Sequence, residues 1–263
     1  MYKKNMIKCR NEREKIMQKY FIDHELQLHQ SFIIDAMDHH HMKKVMRNKN
    51  GDHIVCIDTS HIQYLCIIED ILQGMIQPVE KLDIHNELDI DVTLIYALPK
   101  GDKFELVLQK ACELGVSHII PLQSKRCVVK MTKEKFDKKL SRYQKILKEA
   151  SEQSGRNCIP DIHSVITLKE IENYLQDYNL VAYEETAKAQ QHGQLYETLS
   201  QLKSGDHLVI IVGCEGGFDA LEIEELKRMG VKCCSLGKRI LRSETAPLYL
   251  LSVIGYSREV VQC

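Results

Sequence analysis

The sequence lacks several features that would assign it to a class directly. Among its 263 residues there is no run of about 18 apolar residues, which excludes a membrane-spanning helix. Its ten cysteines include no Cys-x-x-Cys pair and no apolar leader precedes them, so we expect reduced thiols rather than a disulfide framework. Residues 39–41 are all histidine, but no second ligand cluster follows at zinc-finger spacing, so we expect no metal site.

Net charge is also nearly absent. The 36 Lys and Arg residues against 37 Asp and Glu residues give −1, and such an average argues against a uniformly basic surface for nucleic acid. The charges are segregated, however. Residues 1–19 carry a net +5, residues 124–148 carry a net +8, and the remainder carries −14. The protein is therefore expected to be an acidic body with two basic segments.

The second basic segment falls largely on a predicted helix. Its basic residues recur at steps of three and four, which places them on one helix face, the basic stripe. The stripe consists of Lys135, Lys138, Lys139, Arg142 and Lys145. An ordinary solvated face is the alternative, but solvated faces normally mix both signs of charge. We therefore favour a track for a polyanion.

The order of predicted elements divides the chain into three parts. Residues 1–16 lack apolar periodicity and are predicted to be a mobile basic extension. Residues 17–87 contain short runs of β-formers around one predicted helix, 38–48, and predict a small β-rich domain. In residues 88–263 strands alternate with long helices, which predicts an α/β domain with a parallel sheet covered on both faces.

The second domain is predicted to contain five strands and five helices. The predicted strands are 92–98, 118–122, 179–183, 207–212 and 231–235, and the predicted helices are 103–114, 133–154, 167–176, 219–229 and 244–260. Helices 103–114 and 219–229 each end at a glycine, which tolerates the positive φ of a helix stop.

Two glycine-containing loops follow predicted strands near the C-terminus. The first, 213–218, follows a wholly apolar strand, and the second, 236–246, runs into the last helix. Ligands of open α/β sheets bind outside the carboxyl ends of the strands, and glycine lets backbone amides approach a ligand closely. A plain tight turn is the alternative for the first loop. Neither loop matches the dinucleotide or P-loop fingerprint.

The two loops belong to a longer series of motifs. The series comprises Lys100-Gly-Asp-Lys103, Lys110-x-x-Glu113-Leu114-Gly115-Val116, Pro121 to Ser124 with Arg126, Glu149 to Arg156, Pro160, Gly213-x-Glu215-Gly216-Gly217-Phe218, and Leu236-Gly237-x-Arg239-Ile240-Leu241-Arg242-x-Glu244-Thr245-Ala246. In this order, and together with the β-rich domain, the series resembles the RsmE family of SPOUT methyltransferases, which are 16S ribosomal RNA (uracil-N3)-methyltransferases. The resemblance covers nearly everything from Met17 onward.

The resemblance implies a fold and an activity. The expected fold is a SPOUT-type parallel sheet with a C-terminal trefoil knot, preceded by a small PUA-like β-barrel that binds RNA. The expected reaction is methylation of N3 of uridine 1498 in 16S ribosomal RNA of the small (30S) subunit, with S-adenosyl-L-methionine as cofactor. The family further implies a homodimer. The expected reduced thiols, the lack of a long apolar run and the lack of a metal-ligand cluster lead us to expect a cytoplasmic protein with no membrane span and no metal.

The resemblance also implies roles for particular residues. The expected cofactor-binding residues are Val212, Gly213, Glu215, Gly216, Gly217, Leu236, Gly237, Ile240, Leu241 and Thr245. The expected RNA-binding residues are Lys100, Lys125, Arg126, Gln153 and Arg156. Arg242 is expected to stabilise charge on the uracil or to contact its phosphate, and Glu244 to orient Arg242 or to accept the proton. For Arg242 and Glu244 the alternative is a surface ion pair at a helix start.

One residue departs from the family pattern. Cys214 stands where the loop of the family usually has proline. Because the glycines and Glu215 remain, we expect the turn to survive with a less rigid backbone.

Three other functions compete with this interpretation. A SPOUT methyltransferase acting on another RNA fits the same motifs. A non-catalytic, ribosome-associated RNA-binding protein would not need the intact loops 213–217 and 236–246. A Rossmann-type oxidoreductase or nucleotide enzyme would need a glycine fingerprint after the first strand and an acidic residue about 20 positions on, and residues 99–102 do not supply the fingerprint.

Overall fold

The computed structural model describes residues 17–185 and 193–261, which fall into two compact units. The first unit includes residues 152–158 in addition to the chain up to residue 86, and the second holds the rest. The extension predicted for residues 1–16 lies outside the described residues. The domain boundaries drawn from the sequence, at residues 16 and 87, stay predictions.

The first unit is built on a five-stranded sheet. Its strands are β1 (Lys19–Phe21), β2 (Phe32–Ile33), β3 (His53–Ile57), β4 (Gln63–Asp70) and β5 (Met75–Leu82). They are ordered β1-β3-β4-β5-β2, and only the β1–β3 pair is parallel. The β4–β5 register shifts beside the Cys66–Pro78 pair, where an irregular ladder tolerates the missing N–H of proline. Sequence reasoning missed β5.

The predicted helix 38–48 has a different geometry in the structure. An α-helix, α1, covers Ala36–His40, and a π-helical turn, His41–Met46, completes the segment. Asp35 begins α1 because its carboxylate accepts the backbone N–H groups of Met37 and Asp38.

The histidine triplet does not converge on one point. His39 Nε2 lies 2.7 Å from the Ile71 carbonyl oxygen, whereas His41 Nδ1 lies 3.1 Å from the Tyr20 hydroxyl. Within the described ranges, no group of three or more His, Cys, Asp and Glu side chains is arranged to hold a metal ion.

The second unit contains a seven-stranded parallel sheet, which confirms the predicted α/β class. Its strands are β6 (Asp91–Ala97), β7 (His118–Gln123), β8 (Asp161–Ile162), β9 (Ile166–Thr167), β10 (Tyr178–Ala182), β11 (His207–Val212) and β12 (Lys232–Cys234). The order is β12-β10-β11-β6-β7-β8, with β9 also on β7. β6 and β11 pair at the centre and are buried and apolar almost throughout, as strands covered on both faces are. The trefoil knot stays a prediction.

Five α-helices of the second unit lie within the described residues. They are α2 (Lys103–Glu113), α3 (Lys133–Ser154, whose last residues belong to the first unit), α4 (Gln194–Gln201), α5 (Ala220–Arg228) and α6 (Thr245–Gly255). The predicted helix 167–176 is a 3₁₀ helix over Leu168–Tyr174, and the end of the predicted helix 244–260 is a π-helical turn over Tyr256–Val260. No described helix combines the length and apolarity needed to cross a membrane.

An aromatic cluster packs α2 against the sheet. Phe104 stacks on Tyr96 of β6, with ring centroids 6.2 Å apart, and meets Tyr143 of α3 edge-on at 5.2 Å. Phe104, Val107, Leu108 and Ala111 follow the three- and four-residue spacing of a buried helix face. The start of α2 is therefore fixed beside the carboxyl end of β6.

Candidate active site

Loops from four strands meet at one edge of the sheet of the second unit. Because every pairing in this sheet is parallel, all carboxyl ends of its strands lie on the same side, which we call the carboxyl edge. The loops after β6, β7, β11 and β12 begin there. They carry most of the residues that the sequence singled out.

The loop 213–218 turns sharply at the end of β11. The Gly217 N–H donates to the Cys214 carbonyl at 2.9 Å, and a Cβ at Gly213 would lie 3.1 Å from the Gly217 backbone. Only glycine therefore fits at 213 without a shift of the chain. Asp219 then begins α5 in a capping box with Glu222.

In the structure the second loop spans residues 235–244, because β12 ends at Cys234 and α6 begins at Thr245. The Gly237 N–H donates to the Ser235 hydroxyl at 3.1 Å, and Gly237 has a φ of +96°, a conformation that side chains with a Cβ disfavour. The Arg242 carbonyl accepts the N–H groups of Thr245 and Ala246 at 2.9 and 3.0 Å, so it already belongs to the first turn of α6. Arg242 and Glu244 are thus held at a helix start.

Lys103, the first residue of α2, connects these two loops. Its Nζ lies 3.1 Å from Oε1 of Glu215 in the first loop and 3.0 Å from Oε2 of Glu244 in the second. Glu215 Oε1 also accepts the Lys100 backbone N–H at 3.1 Å, and Glu244 Oε2 lies 3.1 Å from the Ser243 hydroxyl that donates to it. Residues from three separate stretches of chain therefore form one polar cluster.

The cluster keeps both carboxylates ionised. Burial acts to raise the pKa of Glu215 and of Glu244, but hydrogen bonds from their own backbone N–H groups and from Lys103 outweigh it and lower both pKa values. The pKa of Lys103 is raised by its hydrogen bonds to Glu244 and Glu215. At neutral pH the cluster therefore holds two negative charges and one positive charge.

The loop after β7 contacts the loop 213–218 and the start of α5. Arg126 donates to the Gly216 carbonyl at 2.8 Å, and the Lys125 backbone N–H donates to Glu222 at 2.7 Å. The Lys125 ammonium lies 3.3 Å from Asp219. Lys125 and Arg126 are exposed, so their charges face solvent although both residues also contact the loop 213–218 or the helix that follows it.

Cys214 makes sulfur contacts at the end of β11. The Ser124 hydroxyl lies 3.2 Å from the Cys127 sulfur and 4.0 Å from the Cys214 sulfur, and both cysteines are buried. A hydrogen bond with Cys214 and burial raise the pKa of the Cys127 thiol. The turn at 213–218 forms with cysteine at this position.

The structure brings most predicted site residues together but not all of them. All ten predicted cofactor residues lie on the two loops or at their borders. Arg242 is exposed, and within the described part of the chain its guanidinium has no hydrogen bond or ion pair, since Glu244 pairs with Lys103 instead. Gln153 and Arg156 belong to the first unit, where Gln153 is exposed and Arg156 is buried.

Sequence reasoning assigned no site role to Lys103. The residue lies in the Lys100-Gly-Asp-Lys103 motif, but its carboxylate partners follow more than a hundred residues later. The order of strands in the sheet brings the three side chains together, and nothing local in the sequence indicates that contact. The sequence indicates only that Lys103 begins the helix that follows an apolar strand, and therefore that it lies near the carboxyl edge.

Comparison with protein families assigns this architecture to a class. Residues 35–73 match the RNA methyltransferase PUA domain, and residues 86–255 match the RNA methyltransferase domain. The second match covers well over half of the chain and includes the whole polar cluster. Fold and site thus define an RNA methyltransferase with a PUA domain, which confirms the predicted PUA-like module.

Individual relatives narrow the class further. The chain is 38% identical to ribosomal RNA small subunit methyltransferase E of Bacillus subtilis, over 94% of this chain and 99% of the relative. The protein of that name from Neisseria gonorrhoeae, crystallised with S-adenosyl methionine, superposes with a TM-score of 0.79 at 27% identity, over 90% of this chain and 96% of the other. The chain belongs to the ribosomal RNA small subunit methyltransferase E family, which confirms the resemblance found in its motifs.

Proposed function

We propose that the protein transfers a methyl group from S-adenosyl-L-methionine to N3 of a uridine, expected to be uridine 1498, in 16S ribosomal RNA of the small subunit. The observation that carries the proposal is family membership across nearly the whole chain, with the loops 213–218 and 235–244 intact at the carboxyl edge. A cytoplasmic location follows from a ribosomal substrate.

The residues at the carboxyl edge suit S-adenosyl-L-methionine. A Cβ at Gly217 or at Gly237 would meet no atom within 4 Å, so both positions leave main-chain groups uncovered by side chains. Leu236 and Leu241 are partly buried against the core, which supplies apolar surface for an adenine. The predicted set of Val212, Gly213, Glu215, Gly216, Gly217, Leu236, Gly237, Ile240, Leu241 and Thr245 would hold the cofactor. When bound, the cofactor supplies an electrophilic methyl group.

Arg242 is the residue that the geometry best fits to the uridine. N3 of uridine carries a proton at neutral pH, and its loss leaves negative charge on the ring. An exposed guanidinium with no partner within the described ranges is available to stabilise that charge or to hold the adjoining phosphate. Glu244 is a poor general base, because its pKa is lowered and it is held by Lys103 and Ser243. We assign it a supporting role.

Exposed cations provide the RNA surface in this proposal. Lys100, Lys125 and Arg126 surround the carboxyl edge and are solvent-exposed, as are the residues of the basic stripe on α3. Arg142 of the stripe is less available to RNA, because a terminal nitrogen of its guanidinium lies 2.7 Å from a carboxylate oxygen of Glu105. Among the predicted RNA contacts, the exposed Gln153 fits better than Arg156, because a buried guanidinium is not presented to a phosphate.

The C-terminal helix favours a homodimer. Tyr249, Tyr256 and Val260, spaced by seven and four positions, expose 37%, 62% and 60% of their surface. Such a spacing places the three side chains near one face, and an exposed apolar stripe on a helix is typical of an association surface.

The dimer proposal makes a prediction. Tyr256→Glu puts a charge in the centre of that face and should convert a dimer to a monomer in sedimentation equilibrium. Tyr196→Glu, which changes an exposed tyrosine on α4, is the matched control and should leave the mass unchanged. A wild-type protein that sediments as a monomer would refute the homodimer.

The methylation proposal is tested by transfer from labelled cofactor to small subunits that lack the modification. We expect label on the 16S RNA with the wild-type protein and a rate lower by about 100-fold with Arg242→Ala. Arg228→Ala, at an exposed position on α5, is the control. Label on a different RNA would indicate another substrate. If calorimetry detects no binding of S-adenosyl-L-methionine, that result would indicate a non-catalytic RNA-binding protein.

A further inference from the structure

Lys103 belongs to the polar cluster but has no role in the reaction proposed above. Its single ammonium contacts Glu215 at 3.1 Å and Glu244 at 3.0 Å, and these carboxylates come from two different loops. The two contacts bring the carboxylate oxygens within about 6 Å of each other, a separation at which unbalanced charges repel strongly.

We propose that Lys103 is a positioning residue that sets the spacing between the cofactor loop 213–218 and the segment 242–244. The inference rests on the proposed function, because it assigns the two segments of that site to one shared cation. Without the ammonium, the two carboxylates repel each other. The segment that carries Arg242 then shifts relative to the loop 213–218.

The surroundings of the cluster support a structural clamp. The side chains of Lys103, Glu215 and Glu244 expose 33%, 32% and 17% of their surface, so water competes less than it does for a fully exposed ion pair. Backbone and hydroxyl donors at Lys100 and Ser243 add further hydrogen bonds to the same carboxylates. Three charged groups with mutual contacts fix a geometry better than one isolated pair.

The same contacts argue against a direct role for Lys103 in RNA binding. Its positive charge is already balanced by two carboxylates, so a phosphate would have to displace one of them. The guanidinium of Arg242 has no such competitor in the described part of the chain. Lys103 and Arg242 therefore have separable effects: positioning for the first and substrate contact for the second.

Three variants test the inference. Lys103→Met removes the charge at similar length, and Lys103→Arg keeps it. The control, Lys227→Met, removes an ammonium on α5 that pairs with Glu224 at 2.9 Å and has no ion pair with Glu215 or Glu244. We expect Lys103→Met to lower kcat by about 100-fold and the affinity for S-adenosyl-L-methionine by about tenfold, with the KM for RNA changed by less than about threefold. Lys103→Arg should retain most of the wild-type kcat and cofactor affinity, because a guanidinium can donate hydrogen bonds to two carboxylates.

The pH dependence of kcat provides a readout that a merely structural role would not change. In the wild type both carboxylates stay ionised above pH 5, since their pKa values are lowered. In Lys103→Met their pKa values rise, because the variant loses the ammonium, which is one of the groups that oppose the effect of burial. Once these carboxylates begin to take up protons, log kcat should fall more steeply with decreasing pH in the variant than in the wild type.

Several results would overturn the inference. The first is a near wild-type kcat and cofactor affinity in Lys103→Met. The second is an effect of Lys103→Met that is confined to the KM for RNA. The third is a fall in kcat that Lys103→Arg does not rescue and that leaves the pH profile unchanged. Cofactor affinity is measured by calorimetry without RNA. A protein that binds the cofactor but methylates no small subunit would therefore contradict the proposed function, while the affinities of the variants still decide the role of Lys103.

Discussion

At the scale of single residues, Arg242 and Glu244 lie two positions apart but have different surroundings. Glu244 is held by Lys103 and Ser243, whereas the guanidinium of Arg242 is exposed and, within the described residues, unpaired. The sequence predicted both as catalytic. It could not indicate which of them was free, because the partner of Glu244 comes from a different part of the chain.

The lowered pKa of Glu244 leads to a pH prediction. A carboxylate with a depressed pKa stays charged as the pH falls from 8 to about 5, so it should produce no acid limb in kcat over that range. Because N3 of uridine must lose a proton, the rate should instead rise with pH. Glu244→Gln should lower kcat by about tenfold and leave the slope of log kcat against pH unchanged. The exposed Glu224→Gln is the control, and a slope that disappears only in Glu244→Gln would identify Glu244 as the base.

Gly237 provides a second prediction at this scale. With a φ of +96°, Gly237→Ala introduces backbone strain that we expect to lower the free energy of unfolding by about 1–3 kcal/mol and to weaken cofactor binding. Gly205 is a close match: its φ is +86°, neither position has an atom within 4 Å of an added Cβ, and it lies before β11, away from the carboxyl edge. In denaturant unfolding, Gly205→Ala should lose about as much free energy of unfolding as Gly237→Ala, but it should bind the cofactor with wild-type affinity. Equal cofactor affinities in the two variants would contradict a role for the loop 235–244.

At the scale of elements, regular patterns were predicted well and short or irregular ones were not. The strands β6, β7 and β11 and the helix α3 follow the predicted bounds to within one residue, because long apolar runs and long amphipathic stretches carry strong periodicity. β8 and β9 are two residues each, too short to show any period.

Local chemistry explains most of the remaining differences. β5 contains Pro78, which argues against a strand unless the ladder is irregular, as it is there. The 3₁₀ helix over Leu168–Tyr174 begins with a capping box between Thr167 and Glu170, so its start resembles that of an α-helix. α4 was missed although Leu195 and Leu199 are buried at a helical spacing. That signal was present in the sequence.

The end of the last helix gives a prediction for element stability. Arg258 is buried, donates from Nε to Asp89 at 2.8 Å and from a terminal nitrogen to the Leu202 carbonyl at 2.9 Å, and thereby holds the C-terminal turn to the start of the sheet. Asp89 is partly exposed, so Arg258→Met should lower the free energy of unfolding by only about 2 kcal/mol. Arg228→Met on α5 should change it by less than about 0.5 kcal/mol. Equal denaturation midpoints would contradict this anchor.

At the scale of the whole molecule, the net charge of −1 conceals a strong segregation. The segment 124–148, with a net +8, is exposed along the loop after β7 and along α3, so its positive charge faces solvent. The segregation was visible in the sequence, and so was the series of family motifs. The convergence of three separate chain segments on Lys103 was not, because it depends on the order of the strands in the sheet.

The basic stripe gives a prediction for RNA binding. Reversing two exposed charges in Lys138→Glu/Lys139→Glu should weaken binding to 16S RNA by at least about tenfold at 0.1 M salt and make the plot of log affinity against log salt shallower by about 1 to 2. Lys203→Glu/Lys232→Glu makes the same change of charge at exposed positions outside the stripe. If both double variants lose affinity equally, net charge alone explains binding and the stripe is not a track.

The proposed methylation is tested most directly by mass spectrometry of 16S RNA from cells with and without the gene. We expect methylation at N3 of uridine 1498 to be lost with the gene, to return with the wild-type protein, and not to return with Arg242→Ala. Unchanged methylation at that uridine in cells without the gene would contradict it.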